Sequence, residues 1–423
     1  MPSQTTAAPD GSFASPVVVV GAGIVGVASA LHLCRLGYPV VLVDREGPAA
    51  GASYGNGGIL ARCSILPVAT PGLWRDAPRM LLSRDGPLFL RWAALPRLLP
   101  WLIRFMATAT PARLDAAVRA LAPLLLDSLD QHQALAEGTD AAPFIRPTDY
   151  VFLYRDRAAY ERDCLTWTHR HAAGLTWREL EGEALRALEP DLSPMARRFG
   201  VAMPDHAVIT DPGAYVEALA EAVVAAGGRF ERAMVRALEP DETGVTVRTE
   251  GADLRASHVV LATGAWSDRL ARPLGATVRL AAERGYHLEL AAAEGGPRHP
   301  LMDAARKMVL VPMEGRLRAA GLVEFADLEA PAASGPTTVL NRGVAELFPG
   351  LRHQGTSTWM GPRPPPTDSV PVIGALPGAR RVIAAYGHQH IGLTAGAATG
   401  RLVADLVAGR HPNIDLSAYR PDR

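Results

Sequence analysis

Three glycines and one aspartate near the start of the chain have the spacing of a dinucleotide site. Gly21, Gly23 and Gly26 follow four consecutive valines, and Asp44 ends a second apolar run. In such a turn the first glycine permits a tight bend, the second lets the backbone approach a pyrophosphate, and the third lets a helix pack closely. A carboxylate about 20 residues later can accept ribose hydroxyls and repels a 2′-phosphate. The pattern predicts binding of the ADP part of NAD or FAD, although glycine-rich turns also occur for packing alone.

The elements around these residues are those that position a phosphate site. Val17–Val20 predicts a buried strand, residues from about Ile24 to Leu36 predict a helix, and Val40–Val43 predicts a second strand. The positive end of that helix would face the phosphates. We therefore predict that the chain opens with a Rossmann-like strand–helix–strand unit.

Composition limits the classes of function. The chain has 423 residues, enough for two domains, and its 43 basic and 43 acidic residues leave no net charge to attract nucleic acid. Cys34, Cys63 and Cys164 are widely spaced, so we predict neither disulfides nor a metal site, and a reducing cytoplasm. Residues 1–15 are polar, without the apolar core of a signal peptide, and predict a flexible tail.

Five motifs, in this order along the chain, resemble the FAD-dependent D-amino-acid oxidase family. They are the opening glycine turn, the Asn56-Gly57-Gly58 loop, the strand end 262–267, Gly361-Pro362-Arg363-Pro364 with 368–374, and the Gly387-His388 turn. The pattern is most similar to the bacterial D-amino-acid dehydrogenase small-subunit branch, including D-hydroxyproline dehydrogenases. The resemblance covers roughly residues 15–410.

The resemblance implies FAD as the cofactor. We predict that it is held without a covalent link, since no cysteine lies near the Gly361 or Gly387 motifs; Cys63, just after the Asn56 loop, is the one that could contradict this. The predicted FAD-binding residues are Gly21, Gly23, Ile24, Val25, Gly26, Asp44, Arg45, Ala52, Ser53, Asn56, Gly57, Gly58, Ile59, Val235, Thr263, Gly264, Trp266, Gly361, Gly387, His388, Gln389, Ile391, Gly392, Leu393 and Thr394.

The turn from Gly387 to Thr394 opens the last predicted helix, 395–408. Its free amides and positive dipole end would face the flavin pyrimidine ring and stabilise negative charge there. The alternative is an ordinary helix start with packing glycines.

Four residues are predicted to act on the substrate: Arg363, Tyr286, Arg318 and His388. A guanidinium can pair bidentately with a carboxylate, and an arginine of this Arg-Pro motif does so in the resembling family; the alternative for Arg363 is a surface ion pair. Tyr286 lies where related enzymes present a tyrosine or histidine to substrate or flavin, or is a half-buried sheet residue. Arg318 and Glu324 resemble an Arg-x-x-Gly-x-x-Glu segment of the dehydrogenase branch, or form a structural pair. His388 and His390 are equally consistent with hydrogen-bonded scaffold.

The implied reaction is oxidative deamination of a D-amino acid. The amine lone pair would drive loss of the Cα hydrogen as hydride to flavin N5, giving an imine that water hydrolyses to a 2-oxo acid. Electrons would pass to a quinone or another acceptor. The alternatives are an oxygen-using oxidase of the same fold acting on glycine, sarcosine, D-proline or a similar amine, an electron-relay flavoprotein subunit, and a nicotinamide-binding Rossmann protein. The substrate side chain and the oligomeric state stay open.

The fold class that we predict combines α/β and α+β. A discontinuous, Rossmann-like FAD-binding domain would comprise residues 16–75, 200–275 and 360–423. A substrate domain with a mixed or antiparallel sheet and a helical insertion would comprise residues 76–199 and 276–359.

The segment 87–109 is rich in tryptophan and leucine but does not predict a membrane span. Arg91, Arg97 and Arg104 interrupt it, and Pro96 and Pro100 are expected to break helical continuity. We favour a core-packed helical pair in a cytoplasmic protein. The alternative is peripheral contact with the inner face of the membrane, which would suit a quinone-reducing enzyme.

Overall fold

The structure is a computed structural model and describes residues 15–82, 86–196 and 199–423. Except for Ser15, the predicted tail lies outside these residues. In chain order, the strands are β1 (Val17–Val20), β2 (Val40–Asp44), β3 (Ile59–Leu60), β4 (Leu88–Leu90), β5 (Ile145–Tyr154), β6 (Arg178–Leu180), β7 (Phe199–Ile209), β8 (Arg229–Arg232), β9 (Val235–Pro240), β10 (Val245–Thr249), β11 (Leu254–Ala256), β12 (His258–Leu261), β13 (Glu283–Ala291), β14 (Leu301–Asp303), β15 (Met308–Met313), β16 (Arg316–Phe325), β17 (Gly355–Arg363), β18 (Val372–Leu376) and β19 (Ala379–Tyr386). The α-helices are α1 (Ile24–Arg35), α2 (Leu73–Leu82), α3 (Leu95–Ala107), α4 (Pro111–Leu125), α5 (Ser128–Ala136), α6 (Arg157–Arg162), α7 (Cys164–Ala172), α8 (Gly182–Leu188), α9 (Pro212–Ala225), α10 (Ser267–Ala271), α11 (Ser334–Leu347) and α12 (Gly392–Val407).

A six-stranded sheet contains the opening valines. Its order is β18-β19-β12-β1-β2-β8, parallel except for β18. Alternate valines of β1 face two cores: Val17 and Val19 pack with α1, α9 and α12, whereas Val18 and Val20 pack with the antiparallel sheet β11-β10-β9. Burial on both faces explains why this strand is apolar at every position.

A second sheet, of ten strands, is largely antiparallel. Its main order is β17-β13-β16-β15-β14-β5-β7-β3, with β4 beside β16 and β6 beside β7. Helix α11 covers one face through Val339, Leu340 and Val344. The predicted fold class, a Rossmann-like sheet plus a mixed sheet with inserted helices, is therefore confirmed.

The division into domains stays a prediction. The six-stranded sheet takes its strands from 17–44, 229–261 and 372–386, while β3 and β7 pair within the ten-stranded sheet. The chain therefore crosses between the two sheets several times.

The helical insertion corrects one expectation. Pro96 and Pro100 do not break the helix: α3 runs from Leu95 to Ala107, with Pro96 in its first turn and Pro100 inside it. A proline in the first turn removes no intrahelical hydrogen bond, which explains the first of these. Among the described residues, no helix combines the length and apolarity needed to cross a bilayer.

Candidate cofactor and substrate site

The glycine turn after β1 has no room for side chains. Gly21 has a φ of +105°, and a Cβ built there would lie 2.4 Å from the Ala262 carbonyl oxygen. A Cβ on Gly26 would lie 1.8 Å from the carbonyl oxygen of Gly21. This packing fixes the N-terminus of α1 at the carboxyl ends of β1 and β12. Parallel sheets bind ligands at such a point, where neighbouring connections leave in opposite directions.

Asp44 and Ser53 organise this turn. Asp44 accepts hydrogen bonds from Ala22 N and Glu46 N at 2.9 Å each and from Gly47 N at 3.3 Å. Ser53 Oγ accepts from Ile24 N at 2.9 Å and so caps α1. A carboxylate has about four acceptor positions, so Asp44 retains about one for a ribose hydroxyl.

The residues predicted at the adenosine end come together around the ends of β2 and β12. The Arg45 guanidinium lies 4.3 Å from the centre of the Trp266 ring. Thr263 Oγ1 is 3.0 Å from Ser267 Oγ, and Ala233 N, two residues before Val235, donates to Asp44 O at 3.0 Å. We refer to the space between these residues and the glycine turn as the cofactor cleft.

The loop before β3 extends the cleft. Asn56 Oδ1 accepts from Gly58 N at 2.8 Å, and a Cβ on Gly58 would lie 2.8 Å from Ile209 O. Ala52, earlier in the loop, is exposed. Gly57, between Asn56 and Gly58, is half-buried. The loop therefore presents backbone and small side chains at its surface.

Arg318 supports this loop from behind. Its guanidinium is fully buried, pairs with Glu289 at 2.6 Å, and donates to the backbone carbonyls of Tyr54 and Asn56. The predicted Arg318–Glu324 pair does not form: Glu324 pairs instead with Arg284 and Arg91. The reason is register, because Arg318 lies opposite Glu289 on β13 whereas Glu324 lies opposite Arg284.

The start of α12 faces the same cleft. Thr394 Oγ1 lies 3.2 Å from both Ile59 O and Ala61 N, which holds the helix start against β3. The backbone amides of Gly392, Leu393 and Thr394 lie in the first turn, where amides have no acceptor within the helix. They are therefore available to a ligand.

The turn before α12 contains a buried acceptor without a partner. Gln389 has a φ of +44°, and its amide nitrogen donates to Ser369 O, but its Oε1 meets no donor among the described residues. Burying an unsatisfied acceptor is costly, so a ligand that donates here is expected. His388 points away: its Nε2 lies 3.0 Å from Thr399 Oγ1, and burial lowers its pKa to about 3. In this geometry His388 is a neutral support of α12.

Arg363 lies at the end of β17, opposite Glu283 on β13. Its Nη1 donates to Glu283 Oε1 at 3.1 Å, and its side chain keeps 19 % exposure while Glu283 keeps 6 %. The guanidinium covers Gly285, where a Cβ would lie 2.5 Å from Nε. One face of the guanidinium group is therefore held by protein and the rest is available to an anion.

His390 is a neighbour of Arg363 that sequence reasoning left undecided. Burial and the Arg363 charge lower the pKa of His390 to about 4, although part of the residue contacts solvent. It is neutral at pH 7.

Tyr286 lies on the opposite face of β13 from Arg363. Successive residues of a strand point to opposite faces, so Gly285 and His287 take the face of Arg363 and Tyr286 takes the other. The Tyr286 hydroxyl donates to Glu324 and accepts from Ala333 N at 2.9 Å, in the core under α11. Burial raises its pKa. The geometry makes Tyr286 part of a buried network.

Sequence reasoning missed an aromatic cluster on the site face. The His287 ring stacks on Trp359 with centroids 5.3 Å apart, and Tyr54 lies 6.3 Å from Trp359. The indole occupies space that two glycines leave: a Cβ on Gly55 would lie 1.9 Å from it and a Cβ on Gly361 2.1 Å. Those two glycines were the available signal, although only the fold pairs them with Trp359.

The residues present fit FAD. The glycine turn and α1 suit a pyrophosphate, Asp44 and the Arg45–Trp266 pair suit adenosine, and the start of α12 with the unpaired Gln389 oxygen suits a hydrogen-bonding ring system at the far end of the cleft. Among the described residues, no cluster of His, Cys, Asp or Glu could hold a metal ion. Fold and site together define a flavin-dependent oxidoreductase.

Comparisons with known proteins agree with this class. The family described as DAO, FAD dependent oxidoreductase, matches residues 16–406. The chain is 38 % identical to a D-amino-acid oxidase of Bradyrhizobium diazoefficiens, over 96 % of this chain and 98 % of that protein. It is 32 % identical to a D-amino acid dehydrogenase of Paramagnetospirillum magneticum, over 96 % and 98 %. The chain therefore belongs to the FAD-dependent DAO family, as the motifs predicted.

Solved structures share the fold. Glycine oxidase from Geobacillus kaustophilus has a TM-score of 0.72 at 22 % identity, covering 97 % of this chain and 98 % of that one. L-proline dehydrogenase from P. horikoshii has a TM-score of 0.73 at 16 % identity, covering 97 % of each chain. Enzymes that differ in substrate and in acceptor therefore share this architecture.

Proposed function

We propose that the protein catalyses the oxidative deamination of D-amino acids. The observation that carries the proposal is Arg363, a cation held on one side by buried Glu283 and exposed on the other, above a glycine that leaves it room. The names of the two relatives, a D-amino-acid oxidase and a D-amino acid dehydrogenase, support an amino acid as the substrate.

The protein's own groups bind and orient the substrate. Arg363 pairs with the substrate carboxylate and fixes the direction of its Cα–H bond. His390 and His287 both have pKa values lowered to about 4, first by burial, so neither places a positive charge beside the substrate nitrogen at neutral pH. Bound FAD supplies the hydride acceptor. The amide groups at the start of α12 favour negative charge next to them. Water then hydrolyses the imine to a 2-oxo acid and ammonia.

We infer that FAD is held without a covalent bond. Cys63, the cysteine that could contradict this, is fully buried in a hydrophobic core, and burial raises the pKa of its thiol. A buried neutral thiol is a poor nucleophile. Acid precipitation of the protein should release all of the yellow colour into the supernatant; colour that stays with the pellet would contradict the inference.

For the electron acceptor we propose a quinone, reached at a membrane surface. The α2–α3 region exposes Trp74, Trp92 and Ile103 at 60 %, 67 % and 61 %. The Arg75 guanidinium stacks on Trp74 at 4.7 Å, so cations accompany these apolar groups. Exposed tryptophans with arginines suit the headgroup region of an anionic bilayer.

Vesicle binding tests this surface. We expect the protein to sediment with phosphatidylglycerol vesicles and the Trp92→Ser, Ile103→Ser double variant to remain in solution. Val224→Ser is the matched control, since Val224 is also exposed, at 51 %, but lies on α9. Equal sedimentation of the double variant and the control would remove the membrane part of the proposal.

The second candidate is an oxygen-using oxidase, favoured by the name of the 38 % identical relative. One experiment tests the activity and separates the candidates. The purified holoenzyme is mixed without oxygen with D-amino acids, their L-enantiomers, glycine and sarcosine, and the flavin absorbance is followed. Bleaching by D-amino acids supports the proposal, and bleaching by none of the amines contradicts it. Prompt recovery of the colour in air would assign the oxidase.

A further inference from the structure

A second cavity lies between the helical insertion and the C-terminus. It has a volume of about 550 Å³, and four arginines line it: Arg104, Arg272, Arg279 and Arg423. They come from α3, from the segment after α10, and from the end of the chain, so three distant parts of the sequence converge. None of its lining residues is among those predicted from sequence to bind the cofactor or the substrate.

The charges in this cavity are not balanced. Arg423 pairs with Asp368 at 2.8 Å, the carboxylate in the lining. Arg104, Arg272 and Arg279 form no ion pair with any carboxylate that the structure describes. Bringing like charges together costs free energy, and a bound anion relieves that cost.

A further carboxylate, that of Asp268, does not pair with these arginines. Asp268 is close enough to feel Arg272 and Arg279, yet its buried Oδ1 has no hydrogen-bond donor among the described residues. Its Oδ2 accepts only a backbone amide, Leu280 N at 3.3 Å. Arg272 and Arg279 therefore line the cavity without a hydrogen bond to the Asp268 carboxylate.

We propose that this cavity binds a phosphate-bearing anion. Several guanidinium forks around a small, polar cavity match the several oxygens of a phosphoryl group, and the volume suits a diphosphate or a phosphorylated small molecule. Thr277 lies in the same lining, where its hydroxyl donates to the Arg423 backbone carbonyl at 3.4 Å. The phosphate belongs either to a soluble metabolite or to a lipid headgroup, because Arg104 follows Ile103 of the exposed α3 surface.

Pyrophosphate is the probe for the shared chemistry. Isothermal titration of the FAD-loaded full chain in a low-salt, phosphate-free buffer should give saturable binding with one site per chain. The Arg272→Gln, Arg279→Gln double variant should weaken it at least tenfold, since each lost charged hydrogen bond is worth more than the roughly 1.4 kcal/mol that a factor of ten represents. Arg380→Gln, another exposed arginine outside the cavity, is the control and should bind as the parent does.

Vesicles distinguish the two sources. A lipid headgroup would be assigned if the protein binds phosphatidylglycerol vesicles, pyrophosphate competes with this binding, and the Arg272→Gln, Arg279→Gln variant does not bind them. Saturable pyrophosphate binding without competition at vesicles would assign a soluble phosphate. Heat signals no larger than those of sodium chloride at equal ionic strength, or equal binding by parent and double variant, would overturn the proposal. None of these outcomes depends on amino-acid turnover.

Discussion

Arg363 and Glu283 show how a strand pair can prepare a cation for a ligand. The buried glutamate holds Nη1 at 3.1 Å, so the guanidinium is oriented before a substrate arrives. Gly285 provides the space, since any larger residue would collide with the guanidinium. Orientation in advance lowers the entropy cost of binding.

We expect Arg363→Ala to lower kcat/KM for D-amino acids by about 10²- to 10³-fold, because loss of the charged, bidentate pair with the substrate carboxylate costs about 3–4 kcal/mol. FAD affinity should stay within a factor of three or so of the parent value, since Arg363 holds none of the cofactor-binding turns. Stopped-flow flavin reduction and FAD titration measure the two quantities. A parallel loss of both would mean that Arg363 supports the fold.

Tyr286→Phe should separate structure from chemistry. The Tyr286 hydroxyl serves Glu324 and Ala333 N in a buried network, so its removal should lower the free energy of unfolding by about 1–3 kcal/mol. The rate of flavin reduction by substrate should change less than about twofold, because the hydroxyl lies on the opposite face of β13 from Arg363. Urea unfolding and stopped-flow reduction measure the two effects. A large fall in the reduction rate with unchanged stability would restore the catalytic role predicted from sequence.

The sequence could predict the roles of residues that belong to a local motif. It could not predict the roles of residues whose orientation depends on pairing with a distant strand. Gly21, Gly26 and Asp44 belong to one local motif, so their spacing predicts the contacts within it, such as those of Gly26 with Gly21 and of Asp44 with Ala22 N. Tyr286 and Arg318 depend on which way β13 and β16 face and on their register. Those are set by pairing between distant segments, with a bulge after Gly285 that no local pattern revealed.

At the scale of elements, α1 and α12 pack with their N-termini toward one cleft. Gly396 and Gly400 permit the close approach: a Cβ on Gly400 would lie 2.6 Å from the carbonyl carbon of Ala28. The two helix starts, which the sequence assigned separately to pyrophosphate and flavin, are thus joined by one helix contact.

Gly400→Ala should destabilise the protein and loosen FAD. Overpacking costs about 1–3 kcal/mol, and the better helix propensity of alanine returns at most about 1 kcal/mol, so a net loss is expected. Urea unfolding and FAD titration measure the two effects. Gly355→Ala is the matched control, since a Cβ there meets no atom within 4 Å. Equal stability of the two variants would show that the helix contact tolerates expansion.

Element prediction from sequence was strongest where one chemical rule dominated. The valine strand, the glycine turn and the C-terminal helix followed from burial and backbone constraints. In the segment 87–109 the rules competed, since the prolines argued for a break and the apolar residues for a helix. Burial of Leu98, Trp101 and Phe105 outweighed the prolines and kept α3 continuous.

At the scale of the whole molecule, the two sheets meet through helices that carry buried histidines. His132 on α5 joins Tyr215 of α9 to Leu393 of α12, with both ring nitrogens at 2.8 Å from their partners. Burial lowers the pKa of His132, and of His206 on strand β7, to about 4 each. These residues bind a proton more weakly in the folded state than in the unfolded state.

The stability of the folded protein should therefore decrease as the pH falls below neutral. Above pH 6.5 the two histidines are neutral in both states and contribute nothing to the slope. As the pH falls from 6.5 toward 4, the unfolded chain takes up protons that the folded chain refuses, so stability decreases. At pH 5 each of the two histidines should lower the free energy of unfolding by about 2 kcal/mol, from 1.36 kcal/mol per pKa unit.

Urea unfolding of the holoenzyme at pH 7.5, 6.5 and 5 measures this change in stability, and restriction to pH 5 and above limits the titration of carboxylates. His132→Gln should keep the fold but lower the slope by about one proton, whereas His411→Gln, exposed near the C-terminus, should leave it unchanged. A parent slope of zero between pH 6.5 and 5 would mean that these histidines open to water without unfolding the chain.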